Sequence, residues 1–265
     1  MGYEAELEVA RAAASEAAAI IRRHYEAGSP AWEKSEGNPV TAADLEADRR
    51  IAARLSESFP DDAILSEESV ASPDRTQRPR VWIVDPLDGT KEFTRRVPEF
   101  GVSIALCENG EPVVAVVENP PQHVSVWAAR GAGCWRDGER VRVSDCTRLE
   151  EAVLVASRSE TSRDLLAPYE GWFAALRPIG SIAWKLACIA SGDGDLNVSL
   201  APKNEWDVCA GDLLVREAGG IYAGADGSRR VYNQADTEVA AWMAAGPAGL
   251  LRLFFERLRR EGLPG

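Results

Sequence analysis

Histidine is scarce in this chain, whose 265 residues include only His24 and His123. Neither has a serine or cysteine partner nearby in sequence. A histidine-activated nucleophile is therefore disfavoured, and hydrolytic chemistry would have to run on carboxylates and metal. Cysteine is sparse too. Cys107, Cys134, Cys146, Cys188 and Cys209 make an odd count without a Cys-x-x-Cys pair, which argues against a zinc knuckle or a disulfide scaffold and fits a reducing compartment. No stretch of about 18 consecutive apolar residues occurs, so no transmembrane helix is expected. Acidic residues interrupt the first segment early, and no signal peptide is expected. The expected location is the cytoplasm, without membrane insertion. Basic residues are outnumbered, 30 Lys and Arg against 42 Asp and Glu, for a net charge of −12. Such a surface repels a phosphate backbone and disfavours a nucleic-acid polymer as partner. An anionic small substrate would need a local inversion of charge, which a divalent metal supplies.

What is present reads as a mixed α/β chain. Residues 5–25 are alanine-rich with helical apolar spacing, and Gly28-Ser29-Pro30 stops that helix. A polar stretch over 33–38 leads to Pro39-Val40-Thr41-Ala42-Ala43-Asp44, which opens a second helix running to about Ser58. Short strands follow at 63–66 and, after a polar loop over 70–79, at 80–85. The latter is continuously apolar, as in a sheet covered on both faces. Strands at 101–107, 112–118 and 124–129, split by Asn109-Gly110 and Pro120-Pro121, form an antiparallel meander. Beyond it come a strand at 152–156, helices at 162–168 and 181–191, a strand at 196–200, a helix at 206–218 capped by Gly219-Gly220, and a last helix at 248–261. The chain reads as one unit over 1–265, with a softer division into 1–140 and 141–265.

Carboxylates gather at four places. In Trp82-Ile83-Val84-Asp85-Pro86-Leu87-Asp88-Gly89-Thr90-Lys91-Glu92-Phe93 a buried strand ends in Asp85, Pro86 is expected to force a turn, and Asp88 precedes a short helix. Two carboxylates at one strand end suit a hard divalent cation such as Mg²⁺. The amides of Gly89 and Thr90 would cradle an anion. A proline turn capped by Asp88 is the plain alternative, but it accounts for one aspartate and not two. The Asp-x-x-Asp spacing is one residue longer than the Asp-x-Asp of haloacid dehalogenase-type phosphatases, so no aspartyl-phosphate intermediate is expected. Leu65-Ser66-Glu67-Glu68 again puts acids at a strand end. Asp207 in Glu205-Trp206-Asp207 falls in the first turn of a helix, where a dipole-stabilising role is the plain alternative. Thr41-x-x-Asp44 is by itself a capping-box pattern.

Taken together, the Pro39–Asp44 segment, Ser66-Glu67-Glu68, Asp85-Pro86-Leu87-Asp88-Gly89-Thr90 and Trp206-Asp207 with Ala218-Gly219-Gly220 resemble, in order and spacing, the inositol monophosphatase superfamily of Mg²⁺-dependent, lithium-sensitive phosphomonoesterases. The resemblance implies a layered α-β-α-β-α sandwich. It implies metal ligands at Glu67, Asp85, Asp88, Asp207 and the Leu87 carbonyl for two or three Mg²⁺ ions, inhibition by Li⁺, and a monomer or homodimer. Asp44 and Thr90, with Glu67, would orient the attacking water.

Asp85 to Phe93 looks most like the CysQ-type 3′(2′),5′-bisphosphate nucleotidases, as do Ser157-Arg158-Ser159, Lys185 and Glu205-Trp206-Asp207. The implied reaction converts 3′-phosphoadenosine 5′-phosphate to AMP. Lys91, Arg158 and Lys185 could hold a second phosphate. Ser181, Glu205 and Asp207 join Gly89 and Thr90 among the implied substrate-binding residues. Inositol monophosphatases place an acid about seven positions before the Trp-Asp aspartate, where this chain has Leu200. One departure runs the other way, because Glu160 stands where the nucleotidase branch often has histidine. Alternatives are an inositol or sugar phosphate monophosphatase, and an inactive scaffold or regulator of the same fold.

Overall fold

The computed structural model describes residues 2–28, 30–35, 38–72, 74–224 and 226–263. Ser29 of the expected helix stop, Glu36-Gly37 of the polar stretch and Pro73 of the polar loop lie outside them. The chain opens with α1 (Glu4–Ala27), a hairpin of β1 (Ala31–Ser35) and β2 (Asn38–Thr41), α2 (Ala42–Ser58) and β3 (Ala63–Ser66). It continues through β4 (Arg80–Asp88), α3 (Thr90–Thr94), β5 (Gly101–Glu108), β6 (Glu111–Asn119), β7 (Val124–Ala129), β8 (Gly133–Arg136) and β9 (Glu139–Val141). Then come β10 (Val153–Ser157), α4 (Arg158–Thr161), β11 (Ala175–Ile179), α5 (Ile182–Ala190), β12 (Leu196–Ser199), β13 (Lys203–Asn204) and α6 (Glu205–Glu217). The chain ends with β14 (Ile221–Ala223), β15 (Glu238–Val239), β16 (Met243–Gly246) and α7 (Ala248–Glu261).

Strands β3 to β9 form a seven-stranded sheet in sequence order, and a five-stranded sheet runs β11-β10-β12-β16-β14. Alternation along β4 explains its continuous apolar run. Trp82 and Val84 point into one core with Ala10, Ala13, Ala14, Ala17 and Ala18 of α1 and with α2. Val81 and Ile83 point into another, filled by α5 and α6. Both faces are buried, so neither can be polar. The alanine stripe on α1 recurs at helical spacing and lets the helix lie close to the sheet. Strand β10 divides the same way, with Val155 toward α5 and α6 and Leu154 and Ala156 toward Leu250, Leu251, Phe254 and Leu258 of α7. The layers are thus α1–α2, sheet, α5–α6, sheet, α7, which is the expected α-β-α-β-α sandwich.

Two expectations need correction. Pro86 does not end the strand in a turn. Strand β4 runs on to Asp88, and its pairing with β5 slips, Asp85 facing Ser103 and Asp88 facing Gly101. Proline cannot donate to a sheet ladder, and a bulge accommodates it. The helix expected at 162–168 is also absent. The Ser157 hydroxyl caps the Glu160 amide and starts α4 earlier, Asp164 takes a positive φ of 54°, and a 3₁₀ turn at Ala167–Tyr169 contains Pro168. Strands β8, β9, β11, β14, β15 and β16 are short elements that the sequence pattern did not mark.

The middle layer depends on a close approach of α5 and α6. A Cβ at Gly211 would lie 2.3 Å from Leu186 Cδ1 and 2.5 Å from its Cβ. Gly211→Ala gains about 1 kcal/mol of helix propensity against an overpacking cost of about 1–3 kcal/mol. A net loss of stability is expected in urea unfolding, and a raised midpoint would contradict this packing.

Candidate active site

The acidic residues arrive in one cleft by separate local devices. Strands β3 and β4 are parallel, Ser66 opposite Val84, and the Glu67 amide donates to the Val84 carbonyl at 3.2 Å. Glu67 and Asp85 thereby leave neighbouring strand ends side by side. In a regular strand, residues three apart face opposite sides. The extra residue of the bulge between Asp85 and Asp88 reverses that parity and lets both face the cleft. Asp85 Oδ1 accepts the Leu87 amide at 2.9 Å, closing the backbone over Pro86.

Three helix starts hold the other aspartates. At α2, Asp44 Oδ2 accepts the Thr41 amide at 2.9 Å and the Thr41 hydroxyl at 2.5 Å, while Oδ1 lies 3.0 Å from the Thr90 hydroxyl. The pair Thr41–Asp44 is thus a capping box and also a link to Thr90. Asp88 Oδ2 accepts the Ser181 hydroxyl and the Ala183 amide, both at 2.6 Å, at the start of α5. Asp207 Oδ2 accepts the Asn204 amide at 2.6 Å at the start of α6. The Ser103 hydroxyl, beside Asp85 in the ladder, donates to the Trp206 carbonyl at 3.2 Å and fixes that helix to the sheet.

Ligand oxygens of Glu67, Asp85 and Asp207 lie within 4.8 Å of one another. Asp88 opens on the same cavity of about 440 Å³, and its charge acts on both Asp85 and Asp207. Loss of hydration and then the charges of Glu67, Asp88 and Asp207 drive the Asp85 carboxyl well above its usual range. Asp207 is pushed up to about 8, first by loss of hydration and next by Asp88. Asp88 and Asp44 are also raised by burial, against the pull of their hydroxyl and amide donors. An all-oxygen donor set of clustered carboxylates, with the Leu87 carbonyl nearby, suits a hard divalent cation such as Mg²⁺.

Leu87, Gly89, Thr90, Lys91, Arg158, Ser181 and Lys185 also line the cavity. Gly89 there has a φ of +96°, and a Cβ would meet Phe100 Cβ at 3.1 Å. The guanidinium of Arg158 is already held by Glu99, at 2.6 and 2.7 Å, and donates to the Pro178 carbonyl as well. Glu205 does not line the cavity, which corrects its expected place. It stands two residues before Asp207 on α6, about 200° round the helix. There it accepts Arg230 and the amides of Asn233 and Gln234. Glu92, Lys203 and Trp206 line the cavity without having been singled out for it. A signal for Lys203 was available, since it lies four residues before Asp207.

A layered sandwich with a carboxylate-lined cleft between its sheets defines a class of phosphatase. The inositol monophosphatase family model matches residues 3–254, and the chain belongs to that family. Its fructose-1,6-bisphosphatase/inositol-1-monophosphatase relative in Thermotoga maritima is 36% identical over 183 residues, covering 69% of this chain and 70% of that one. The Nus factor SuhB of Escherichia coli K12 is 35% identical over 226 residues, covering 81% and 83%. Among solved structures, the extragenic suppressor protein suhB from Bartonella henselae is 30% identical with a TM-score of 0.84 over 98% of this chain and 100% of that one. The inositol monophosphatase from Anabaena is 26% identical with a TM-score of 0.83, over 98% and 97%. No helix among the described residues is long and apolar enough to cross a membrane.

The raised aspartates set a pH dependence. An unfolded Asp titrates near 3.9. Each raised group therefore contributes stability that is fully present below about pH 4 and is lost as pH rises through its folded value, which for Asp207 is about 8. With a chelator present, the melting temperature should fall from pH 5 to pH 8, and Asp207→Asn should flatten that fall. A melting temperature that rises over this range would contradict the clustering.

Proposed function

We propose that this chain is a Mg²⁺-dependent phosphomonoesterase acting on 3′(2′),5′-bisphosphate nucleotides, converting 3′-phosphoadenosine 5′-phosphate to AMP and phosphate. The observation that carries this reading is the two-signed cavity, in which Lys91, Lys185 and Lys203 share one lining with Glu67, Asp85, Asp88 and Asp207. The acids suit the metal and the scissile phosphate, and the lysines suit a second phosphate. Leu200 supports the same choice. It packs against the core beneath α7 and lies outside the cavity lining, and an apolar side chain cannot bind a polyol hydroxyl.

In this reading Glu67, Asp85, Asp88, Asp207 and the Leu87 carbonyl hold Mg²⁺. Bound there, the metal would acidify a coordinated water and offset the substrate's negative charge. The rest belongs to the chain. Asp44 is fixed by the α2 cap and accepts the Thr90 proton, so the Thr90 hydroxyl oxygen can turn its lone pairs to the attacking water and align it. The hydroxyl has one proton and two acceptors in reach, Asp44 at 3.0 Å and the Leu87 carbonyl at 3.2 Å, and the charged carboxylate is the stronger acceptor. The amides of Gly89 and Thr90 meet the phosphoryl oxygens where charge develops.

The relatives named as fructose-1,6-bisphosphatase/inositol-1-monophosphatase support a second reading, a sugar or polyol phosphate ester. Phosphate release decides between them. With Mg²⁺, 3′-phosphoadenosine 5′-phosphate should be hydrolysed with a kcat/KM at least about tenfold above inositol 1-phosphate or fructose 1,6-bisphosphate, and Li⁺ should inhibit. Faster turnover of inositol 1-phosphate would overturn the nucleotidase reading, and no turnover of any ester would point to a regulator. Asp88→Asn should lower kcat about a hundredfold while leaving the circular dichroism spectrum unchanged.

A further inference from the structure

Glu160 is a carboxylate beside a cavity meant for anions, and its placement resolves that conflict. The residue is 1% exposed and is absent from the cavity lining. Its Oε1 accepts the amides of Leu200 and Ala201, each at 3.2 Å. Lys203 Nζ lies 3.8 Å from that same oxygen. Oε2 is buried and has no hydrogen-bond partner among the described residues. The carboxylate therefore sits beneath the turn that carries Lys203, and its charge acts through that turn.

Lys203 lines the cavity, and its ammonium donates, among the described residues, to the carbonyls of Ala201 and Pro202 at 3.1 and 3.4 Å. Lys185 lines it too. It is 3% exposed, and its ammonium donates no hydrogen bond among the described residues. Its ammonium opens on the cavity and not on a protein acceptor, which leaves its charge available to an anion. The two lysines also feel each other. The Lys185 amine is pushed down to about 8 by burial and next by the charge of Lys203, with Glu160, Asp88 and Glu92 pulling the other way. The remaining cations compete poorly for this role. Arg158 is held by Glu99, and Lys91 is exposed.

We propose that Lys203 and Lys185 form a two-lysine seat for the phosphate that a bisphosphorylated substrate keeps after hydrolysis, and that Glu160 is the positioning residue holding Lys203 in it. This deepens the nucleotidase reading and rests on it. Glu160 ties down the backbone of the turn and offsets part of the repulsion between the lysines while the seat is empty of substrate. Its buried edge keeps it out of contact with the anion.

Two substrates that share a 3′-phosphate and differ only in the 5′-phosphate test the seat: adenosine 3′,5′-bisphosphate and adenosine 3′-monophosphate. Wild type should show a KM for the bisphosphate at least about tenfold lower. Lys203→Met should raise the bisphosphate KM by about that factor, well beyond its effect on the monophosphate KM. Glu160→Gln keeps a carbonyl for the two amides and loses only the charge, so a purely structural Glu160 would leave it like wild type. The seat predicts a raised bisphosphate KM in Glu160→Gln, and a double variant no worse than Lys203→Met alone. Equal effects on both substrates, a wild-type Glu160→Gln, or additive losses would overturn the proposal. The underlying reading fails visibly elsewhere, in a wild-type enzyme that does not prefer the bisphosphate, and that result removes the seat as well. A wild-type preference that survives in Lys203→Met removes the seat alone.

Discussion

Asp44, Asp88 and Asp207 each give one carboxylate oxygen to donors at the start of a helix, and this bond organises the rest of the site. Backbone amides there have no partner within the helix, and the helix dipole favours negative charge at that end. Amides carry no net charge. They can fix a carboxylate without neutralising it, which a lysine or arginine partner would do. The second oxygen of each aspartate is left for other work: toward Thr90 in the case of Asp44, and toward the cavity for Asp88 and Asp207. Helices α2, α5 and α6 must therefore begin at the cleft, and the two-sheet sandwich is the arrangement that lets them.

The sheet contributes the remaining acids by a different geometry. Parallel pairing sets Glu67 beside Asp85, and the bulge turns Asp88 to the same side. Proline matters here because it cannot join the ladder, so the irregularity has a fixed place. The cost of crowding these charges appears in the raised titration of Asp85 and Asp207. It is borne by two hydrophobic cores that flank β4 on either face.

Much of this was legible in the residues. The apolar run of β4, the meander from β5 to β7 and the last helix all follow from patterns that local physics enforces. The segments around Thr41, Glu67, Asp85 and Asp207 marked the ends where side chains would meet. What stayed hidden depended on direction or on long-range pairing. Glu205 looked like part of the Trp-Asp motif, but roughly half a turn of the helix separates it from Asp207, and it faces the 230–234 loop. Arg158 looked like a free cation, yet its partner Glu99 lies 59 positions away. Thr41 and Asp44 read as a cap, and the cap is real. Only tertiary placement shows that Asp44's other oxygen reaches Thr90. Short strands such as β14 and β16 carry too few residues to show alternation, and the pairing of β16 with β12 and of β14 with β16 is set by the core around them.

A chain of net charge −12 that handles anions must arrange its charges by position, since the total works against it. Fields from exposed groups fade over roughly 8–10 Å in physiological salt, so the distant acidic surface contributes little inside the cleft. There the sign is set within a few ångströms. Carboxylates gathered at one end make a place for cations, and the cation in turn makes a place for phosphate. Lys185 and Lys203 face the same space, and Asp88 and Glu92 help keep the buried Lys185 charged. The lysines and the acids thus stabilise each other's ionised forms across the cavity, while neither set pairs off directly and closes it. That separation of unlike charges, held apart by helix starts on one side and by the Glu160-braced turn on the other, is what keeps the cleft open to a doubly charged ligand.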